Sequence, residues 1–579
     1  MTKKKIFAIV PEEEFVNREE LLDRLYCDAM DTARQASDNI VLLGRRRVGK
    51  SAVLTRVYDK LFFEQDLVVP IYFTYEGLPS NLGEYIAEEY FKNFVSQYIA
   101  FKKKDIKLRK KATDLNLALK LAQELEDIGL MEIIEAYIDA KQKQYFQGIV
   151  HNSIGAPRMV AEENESAICV IIDEFQEILK IVDRDGRILN FKGLYQFAVE
   201  SALATHIISG SAVTIMRQEI LRRGPLLGRF EPYKISGLST EYAIELQDRL
   251  SKMYGFEMPY EQKVYIANYT SGLPFYIKKI LLEIKRYKVP IVTEEVLCKA
   301  ISHEITRGGI YDTLEMLLLQ YAKQNKLNIT RSVLYHCANF EDKKINPDEI
   351  AEKLQVSSIE VMEALSQMSR ADLIEPSGGF YYNIPDPVMR KFLRTQYFRE
   401  VMGVPQADIE EEEKNKIYTQ LSDEPTMIGL LVESHLTLLM MYWDNRVVSG
   451  NLFGLDKSQK ITLPKFHRVF NTKVKPPRSR EYQIDLIGTY FDAGKYLAWI
   501  GESKYRNRPI NKSDITKFNR ACIAAQKSYG FNEITKWFFS ATGFSEPAIE
   551  EAKKHNILLT DLKNVNQLLS EFGLNTLRL

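Results

Sequence analysis

The sequence predicts an α/β fold class, with a parallel sheet in the N-terminal part of the chain. Short apolar runs alternate there with segments of helical periodicity, which is typical of parallel strands joined by helices. The first run ends at a glycine and the third ends at two carboxylates, so both strands place chemically useful groups at their ends. The runs predicted to be strands are residues 39–43, 67–75, 167–172 and 206–209.

The motif after the first strand, residues 44–51, matches G-x-x-x-x-G-K-[S/T]. Its glycines let the backbone wrap around phosphates, and the N–H groups at the start of the following helix supply positive potential. Lys50 is expected to bridge the β- and γ-phosphates, and Ser51 to ligate Mg²⁺. ATP with Mg²⁺ is therefore the predicted ligand. Its predicted contacts in the loop are Gly44, Arg45, Arg46, Arg47, Val48, Gly49, Lys50, Ser51 and Ala52.

Two carboxylates, Asp173 and Glu174, follow the third apolar run directly. Asp173 is expected to hold Mg²⁺, and Glu174 to orient or deprotonate the attacking water. The two roles differ because the side chains of successive residues at a strand end point in different directions. Ser209, at the end of the next strand, is a candidate contact to the γ-phosphate, with a plain turn as the alternative. Arg229 is a candidate arginine finger, against the alternative of an ordinary surface arginine.

Five motifs occur in the order found in a known family of ATPases, at residues 15–19, 44–51, 172–176, 209–211 and 270–276. Through them the chain resembles, over residues 12–400, the archaeal-type ATPase family, a STAND-like branch of the AAA-related P-loop NTPases. The resemblance implies an ASCE-type sheet, in which the strand ending at Ser209 lies between the P-loop strand and the Asp173 strand. It also implies a helical lid and a winged helix after the sheet.

A chain of 579 residues is long enough for several domains. The sequence predicts a P-loop core with a helical insertion, a helical lid, a winged helix, a charged linker and a separate α/β domain at the C-terminal end. Their predicted bounds are residues 1–235, with the insertion at about 80–150, then 236–305, 306–400, 401–420 and 421–579.

The predicted winged helix has few basic residues. Glu360 and Glu363 lie on its second helix, which would face phosphates in a DNA complex, so an intramolecular or protein contact is favoured over DNA readout. Ser357 and Ser358 are expected to cap that helix. Its predicted first helix, second helix and wing are residues 347–356, 359–370 and 378–384.

The C-terminal segment contains a second group of charged residues on two short strands, 484–487 and 499–504. Side chains alternate along a strand, so Glu502 and Lys504 point to the same face, where Asp485 of the adjacent strand can meet them. Two carboxylates with a lysine suit a site for Mg²⁺, or for Mn²⁺, that acts on a phosphodiester.

This Asp…Glu-x-Lys pattern resembles the PD-(D/E)xK restriction-endonuclease-like superfamily, although no proline precedes the aspartate. A nuclease-like domain follows the ATPase in some members of the archaeal-type family, so the resemblance implies such a domain in residues 421–579. Glu433, on a predicted helix, is a candidate for a further carboxylate ligand. The alternatives are a surface ion pair and a degenerate site that binds a partner without cutting.

Charge is distributed unevenly along the chain. The totals of 78 basic and 78 acidic side chains exclude a generally basic nucleic-acid coat protein. Residues 461–530, however, carry 14 Lys and Arg against 5 Asp and Glu, which indicates nucleic acid as a partner of this end only. The basic residues expected to contact phosphates include Lys473, Lys475, Arg478, Arg480, Arg506, Arg508 and Lys512.

Cysteine use and hydropathy predict a cytoplasmic protein. The five cysteines have no CxxC spacing, which supports neither a disulfide framework nor a zinc site. The longest apolar stretch, residues 427–443, is interrupted by polar side chains and is too short to span a bilayer. A homo-oligomer is expected only if the arginine finger acts on a neighbouring copy.

These patterns favour an ATP-hydrolysing switch or motor coupled to a metal-dependent nuclease-type domain that acts on DNA or RNA, in nucleic-acid processing or defence. Two alternatives stay open. The first is a STAND-like regulatory ATPase whose winged helix and C-terminal domain are interaction modules without cleavage activity. The second is a transcription regulator acting through the winged helix, against which Glu360 and Glu363 count.

Overall fold

The computed structural model describes residues 6–7, 10–221, 223–324, 327–338, 347–376, 382–474, 481–505, 508–574 and 576–577. The chain forms two compact units. The N-terminal unit consists of Met1–Leu238, Leu273–Tyr276 and Gly309–Gly403. The C-terminal unit consists of Ser239–Gly272, Ile277–Gly308 and Val404–Leu579. These units cut across the predicted domain bounds, because the segment predicted as a lid clusters with the C-terminal domain and the winged helix clusters with the sheet.

A parallel five-stranded sheet forms the centre of the N-terminal unit, with strand order β2-β3-β4-β1-β5. β4 lies between β1 and β3, as the family resemblance implied. β1 to β4 are buried along most of their length, whereas β5 is largely exposed at the edge of the sheet. The strands are β1 (Ile40–Leu43), β2 (Val68–Thr74), β3 (Ala167–Asp173), β4 (Ala204–Gly210) and β5 (Glu231–Lys234).

Helices flank this sheet and fill the predicted insertion after β2. The insertion begins with a 20-residue helix whose inner face is rich in aromatic side chains, including Tyr90, Phe91 and Phe94. The helices in chain order are α1 (Glu19–Asp31), α2 (Lys50–Glu64), α3 (Gly83–Lys102), α4 (Leu108–Lys111), α5 (Leu115–Glu124), α6 (Ile128–Gln142), α7 (Phe146–Glu163), α8 (Phe191–Ala198) and α9 (Val213–Ile215).

His206 lies in the middle of β4 with no exposed surface, and burial lowers the pKa of its imidazole to about 4. The unfolded chain therefore binds a proton between pH 6.5 and 4 that the folded unit does not, so stability falls as the pH falls through this window. A shift of this size corresponds to about 3 kcal/mol. In His206→Asn, the urea midpoint of unfolding, measured by pulse proteolysis, should change less with pH than in wild type.

The exposed His151 offers a matched control for this measurement. His151→Asn should leave the pH dependence of the urea midpoint unchanged. An identical slope for wild type and His206→Asn between pH 6.5 and 4 would contradict the prediction.

Four helices follow the sheet, and most of their residues belong to the C-terminal unit. α10 ends at Gly255, whose positive φ of 82° closes the helix in a conformation that favours glycine. The all-helical prediction for this segment is confirmed. The helices are α10 (Thr240–Tyr254), α11 (Tyr260–Tyr269), α12 (Pro274–Arg286) and α13 (Glu294–Thr306).

The predicted winged-helix segment belongs to the N-terminal unit. Ser357 caps α17 through a capping box with Glu360, and Asp386 caps α18 by accepting hydrogen bonds from Val388 and Met389. The central part of the predicted wing, Gly378–Tyr381, lies outside the described residues. The elements are α14 (Gly309–Gln324), α15 (Leu327–Ala338), α16 (Pro347–Leu354), α17 (Ser358–Arg370), the paired strands β6 (Glu375–Pro376) and β7 (Tyr382–Asn383), and α18 (Pro387–Gln396).

The prediction of a charged linker at residues 401–420 is wrong. This segment contributes to α19 (Gln406–Ser422), which buries Ile409, Ile417 and Leu421 within the C-terminal unit. Of its run of four glutamates, Glu411 and Glu412 are exposed on the outer face of the helix and Glu413 is buried, while the apolar residues repeat at helical spacing on the inner face. α19 leads into α20 (Glu424–Met441), whose inner face belongs to the core of the same unit.

A mixed five-stranded sheet forms the rest of the C-terminal unit, in the order β10-β11-β12-β13-β14. The pairs from β10 to β12 are antiparallel, and those from β12 to β14 are parallel. The elements are β8 (Val447–Ser449), β9 (Lys460–Thr462), β10 (Arg468–Val474), β11 (Tyr482–Asp492), β12 (Lys495–Lys504), α21 (Lys512–Tyr529), β13 (Glu533–Ser540), α22 (Glu546–Lys554), β14 (Ile557–Asp561) and α23 (Leu562–Glu571).

All three tryptophans of the chain pack together in the core of this sheet. Trp443 lies with its ring centroid 4.8 Å from that of Trp499 and 5.8 Å from that of Trp537. Tryptophan fluorescence therefore reports the folding of the C-terminal unit alone. Over the described part of the chain, no helix has the length and apolar character needed to cross a membrane.

Candidate functional site

The predicted phosphate-binding loop joins β1 to α2. Gly49 has a φ of 96°, a backbone conformation that glycine adopts without strain, and α2 begins at the next residue. The Lys50 ammonium is buried and donates hydrogen bonds to the carbonyl oxygens of Gly44, at 2.9 Å, and Arg45, at 3.1 Å. Burial lowers the pKa of Lys50, while the nearby Glu174 and Asp173 carboxylates oppose that shift. The loop thus forms a closed cradle with its lysine directed inward.

Asp173, the last residue of β3, gathers three hydroxyl groups around its carboxylate. Ser51 Oγ donates to Asp173 Oδ2 at 2.5 Å, and Tyr72 OH lies 3.4 Å from the same oxygen. Ser209 Oγ donates to Asp173 Oδ1 and is fully buried. The contact between Ser51 and Asp173 fits the two oxygen ligands that a phosphate-bound Mg²⁺ takes from a P-loop protein. Ser209, a candidate contact to the γ-phosphate, thus lies beside Asp173, and its role towards the phosphate stays a prediction.

Glu174 lies directly after β3 with a φ of 52°, in the left-handed region that side chains other than glycine rarely adopt. Ser211 Oγ donates to Glu174 Oε2 at 2.5 Å, and Gln176 Nε2 donates to the same oxygen. Glu174 also lines a cavity of about 370 Å³ together with Arg46 and Glu76. The structure thus places the predicted base beside open space and close to the P-loop.

Two P-loop arginines are tied to other parts of the N-terminal unit. Arg47 donates to the Tyr276 hydroxyl at 3.0 Å, and Tyr276 donates in turn to Asp386 Oδ2 at 2.7 Å. Arg45 donates to the carbonyl oxygen of Pro385 at 3.3 Å. Because Asp386 caps α18, the loop is linked to the winged-helix segment through both arginines.

Arg229 contacts two residues outside the P-loop. Its Nε donates to the carbonyl oxygen of Pro225, and its guanidinium pairs with Glu200 at 2.5 Å. The role of Arg229 as an arginine finger stays a prediction.

In the C-terminal unit, Asp485, Glu502 and Lys504 meet at the paired strands β11 and β12. Lys504 Nζ lies 2.5 Å from Glu502 Oε1 and 3.8 Å from Asp485 Oδ2. Asp485 is buried and also accepts a hydrogen bond from the Ser503 backbone N–H at 3.0 Å. The structure thus places Glu502 and Lys504 on one face with Asp485 beside them, as predicted.

Glu433, on α20 in the same unit, adds a further carboxylate to this group. The pKa of Glu433 is raised to about 7, chiefly by burial and also by the neighbouring Asp485 and Glu502 carboxylates, against the opposing effect of Lys504. The chemistry of the set fits a divalent cation, because it offers up to three carboxylates.

The carboxylate oxygens of this group are less closely gathered than those of another cluster. Among the described residues, one set of three potential metal ligands lies mutually within 4.8 Å, and it consists of Glu283, His303 and Glu304 of the C-terminal unit. At the β11–β12 group the Lys504 ammonium pairs with both Glu502 and Asp485. Glu283 is moreover engaged by Arg286 at 2.7 Å, as expected of a structural ion pair.

The comparisons with known proteins identify the first part of the chain. Residues 15–280 match the family model described as an ATPase domain predominantly from Archaea. This similarity to an archaeal-type ATPase domain covers less than half of the chain. The match includes the P-loop, Asp173, Glu174 and the helices up to α12, and it ends before the winged-helix segment and the C-terminal sheet.

Two solved structures illustrate what the chain is similar to. The Walker-type ATPase of Pyrococcus abyssi has 17% sequence identity and a TM-score of 0.45, over 67% of this chain and 99% of its own. The ORC2 protein of Aeropyrum pernix has 12% identity and a TM-score of 0.39, over 72% of this chain and 98% of its own. Among curated proteins no match is found.

Three side chains that contact the ATPase site, those of Tyr72, Gln176 and Ser211, were not predicted as site residues. Tyr72 lies within an apolar strand, and the hydrophobic pattern of that strand gives no indication of a role for its hydroxyl group. Gln176 follows the acidic pair by two residues, and only the short helical turn Phe175–Lys180 directs it back to Glu174. The motif at residues 209–211 did contain the signal for Ser211, because side chains two residues apart on a strand share a face.

Proposed function

We propose that this protein binds and hydrolyses ATP in its N-terminal unit and couples that cycle to metal-dependent cleavage of nucleic acid in its C-terminal unit. The observation that carries the first half is the family match at residues 15–280, together with the closed P-loop around Lys50. The observation that carries the second half is the contact of Lys504 with both Glu502 and Asp485.

The ATPase roles follow from the contacts at the P-loop. Lys50 would exchange the carbonyl oxygens of Gly44 and Arg45 for the β- and γ-phosphate oxygens of ATP. Ser51 and Asp173 would hold Mg²⁺, which supplies charge neutralisation for the phosphates when it is bound. Glu174 would take the proton of the attacking water, because it adjoins open space one residue from the metal-holding carboxylate.

The C-terminal chemistry is that of a phosphodiester hydrolase. Asp485 and Glu502 would hold Mg²⁺ or Mn²⁺, with Glu433 as a further carboxylate, and a bound cation there would polarise the scissile phosphate. Lys504 would release the carboxylates and orient the attacking water or face the developing negative charge. The raised pKa of Glu433 suits a carboxyl group that gives up its proton when a cation arrives.

Nucleic acid is the proposed substrate because the surrounding segment is basic. Lys473 and Lys512 have side chains that are 65% and 58% exposed, so they are available to phosphates despite their weak ion pairs with Glu481 and Glu551. The predicted phosphate contacts Lys475, Arg478, Arg480 and Arg506 lie outside the described residues.

Supercoiled plasmid DNA tests the proposed cleavage directly. The wild-type protein is incubated with plasmid and Mg²⁺, Mn²⁺ or EDTA, and ATP turnover is followed in the same samples. We expect nicked or linear plasmid with either cation and none with EDTA. Intact plasmid in every sample, with ATP turnover present, would rule out DNA cleavage. Cleavage of RNA is then tested with a structured RNA substrate under the same conditions.

A regulatory ATPase switch without cleavage activity is the second candidate. The link from Arg47 through Tyr276 to Asp386 favours it, because nucleotide binding at the P-loop would compete for the same arginine and reposition α18. In that case the C-terminal unit would be an interaction module, and ATP would control self-association. Light scattering of the wild type with ATP, ADP or no nucleotide distinguishes the two candidates when nicking is absent.

A further inference from the structure

A row of aromatic side chains lies at the β11–β12 hairpin end of the C-terminal sheet. Phe491 and Tyr496 are paired across the hairpin, and their ring centroids are 4.8 Å apart. The row continues from Tyr496 to Phe531 at 5.1 Å, from Phe531 to Tyr529 at 5.5 Å and from Tyr529 to Phe470 at 5.8 Å. These five side chains, from three strands, the end of α21 and the turn that follows it, are the aromatic row.

The core of the unit holds the aromatic row in place. Phe531 is 4% exposed and belongs to a core cluster against which two other members of the row pack. The hydroxyl groups of Thr472 and Tyr529 are hydrogen-bonded at 2.8 Å. Gly530 ends α21 with a φ of 71°, and the rings of Tyr529 and Phe531 on either side of it stack at an interplanar angle of 8°. The row is therefore a preformed surface of fixed rings.

Part of this surface is open to solvent. Phe491 is 64% exposed and Tyr529 is 40% exposed. Phe491 belongs to neither of the two core clusters that the described residues of this unit form, so core packing does not account for it. An exposed aromatic ring at the end of a rigid stack indicates a binding surface.

The charges near the aromatic row favour nucleic acid as its occupant. Four of the five members lie within the segment that carries 14 basic and 5 acidic side chains. Lys527 precedes Tyr529 by two residues, and Lys473 follows the hydrogen-bond partner of Tyr529, and both lysines are exposed. Glu533 is paired with Lys495 at 2.6 Å, which offsets its negative charge. Phosphates can contact the lysines while bases stack on the rings.

We propose that the aromatic row binds the unpaired bases of single-stranded nucleic acid by stacking, and that the neighbouring lysines contact its phosphates. This inference rests on the proposed function, in which nucleic acid is the substrate of the C-terminal unit. The bases of a duplex stack on one another, so their faces are not available to the rings, whereas unpaired bases are.

The position of the row on β11 connects it to the proposed cleavage site. Phe491 and Asp485 lie six residues apart on this strand, a distance of about 20 Å. A strand bound at the row can therefore extend to the carboxylates. The preferred substrate has a single-stranded region next to the point of cleavage.

Fluorescence anisotropy tests the proposal in the full-length protein, with labelled oligo-dT, oligo-rU and a DNA duplex of equal length in the presence of EDTA. Wild type should bind at least one single strand more tightly than the duplex, and the two oligonucleotides show whether that strand is DNA or RNA. Phe491→Leu keeps an apolar side chain but removes the ring, so the Kd for the single strand should rise about tenfold. Phe491→Tyr keeps the ring and should stay within about twofold of wild type.

Tyr442→Ala is the matched control, because Tyr442 is a 51% exposed aromatic residue of the same unit outside the row. It should bind the single strand like wild type. Equal affinity of wild type for single strand and duplex, or unchanged single-strand affinity in Phe491→Leu, would overturn the proposal. Undetectable binding of both oligonucleotides by wild type would also overturn it and leave the row to a protein partner.

The binding measurement is independent of cleavage, because EDTA removes the cation that nicking requires. Asp485→Asn should therefore bind the single strand like wild type. Intact plasmid together with binding that depends on Phe491 would contradict the proposed cleavage and support the role of the row. Plasmid nicking together with wild-type affinity in Phe491→Leu would overturn the role of the row and leave the proposed cleavage in place.

Discussion

Lys50→Ala should lower kcat/KM for ATP hydrolysis by at least about a hundredfold. The lysine is buried at the start of α2, and its ammonium lies within the loop that encloses the phosphates. Loss of the cation that stabilises the negative charge developing in the transition state of phosphoryl transfer lowers the rate on this scale, because no water-exposed cation can replace it. Release of inorganic phosphate under saturating and limiting ATP measures the change.

Lys60→Ala is the matched control for this variant. Lys60 lies on the same helix, ten residues further on, and pairs with Asp23 at a partly exposed position. Loss of such a pair costs at most about 1 kcal/mol of stability and touches no phosphate-binding group. Equal losses of kcat/KM in the two lysine variants would mean that α2 is merely destabilised, and undiminished turnover in Lys50→Ala would contradict the assignment of the P-loop.

Asp485→Asn should lower the rate of plasmid nicking by about a hundred- to a thousandfold and leave ATP turnover unchanged. The substitution keeps the size of the side chain but removes the charge that would hold the cation, and metal-assisted polarisation contributes several kcal/mol to phosphodiester cleavage. Quantified conversion of supercoiled to nicked plasmid at saturating Mg²⁺ or Mn²⁺ gives the rate.

Asp492→Asn provides the control at the other end of β11, where the side chain is exposed. It should nick plasmid at the wild-type rate. Tryptophan fluorescence verifies folding in both variants, since all three tryptophans lie in the core of the C-terminal unit. Wild-type nicking by Asp485→Asn with unchanged fluorescence would exclude this residue from cleavage.

The sequence was most informative where a motif and a periodic pattern agreed. β1, the loop around Lys50 and α2 could be predicted together, because glycine positions, an apolar strand and a helical pattern all specified the same geometry. β3 and its carboxylates could be predicted for the same reason. β5 could not, since its sequence Glu-Pro-Tyr-Lys is exposed at the sheet edge and carries no apolar run.

Long-range packing accounts for what the sequence did not predict. The glutamate-rich segment before Leu421 has the composition of a linker, and only its contacts within the C-terminal unit make it the helix α19. The contacts of Gln176 with Glu174, and of Ser209 with Asp173, depend on which strands are neighbours. The same limit applies to Arg47, whose partner Tyr276 lies 229 residues away along the chain.

The initial rate of plasmid nicking, measured with and without ATP in wild type and in Lys50→Ala, tests the proposed coupling most directly. We predict that ATP changes the nicking rate of wild type and has no effect on Lys50→Ala, whose C-terminal site is intact. A nicking rate that responds to ATP equally in both proteins, or that does not respond in wild type despite ATP turnover, would contradict the coupling of the two sites.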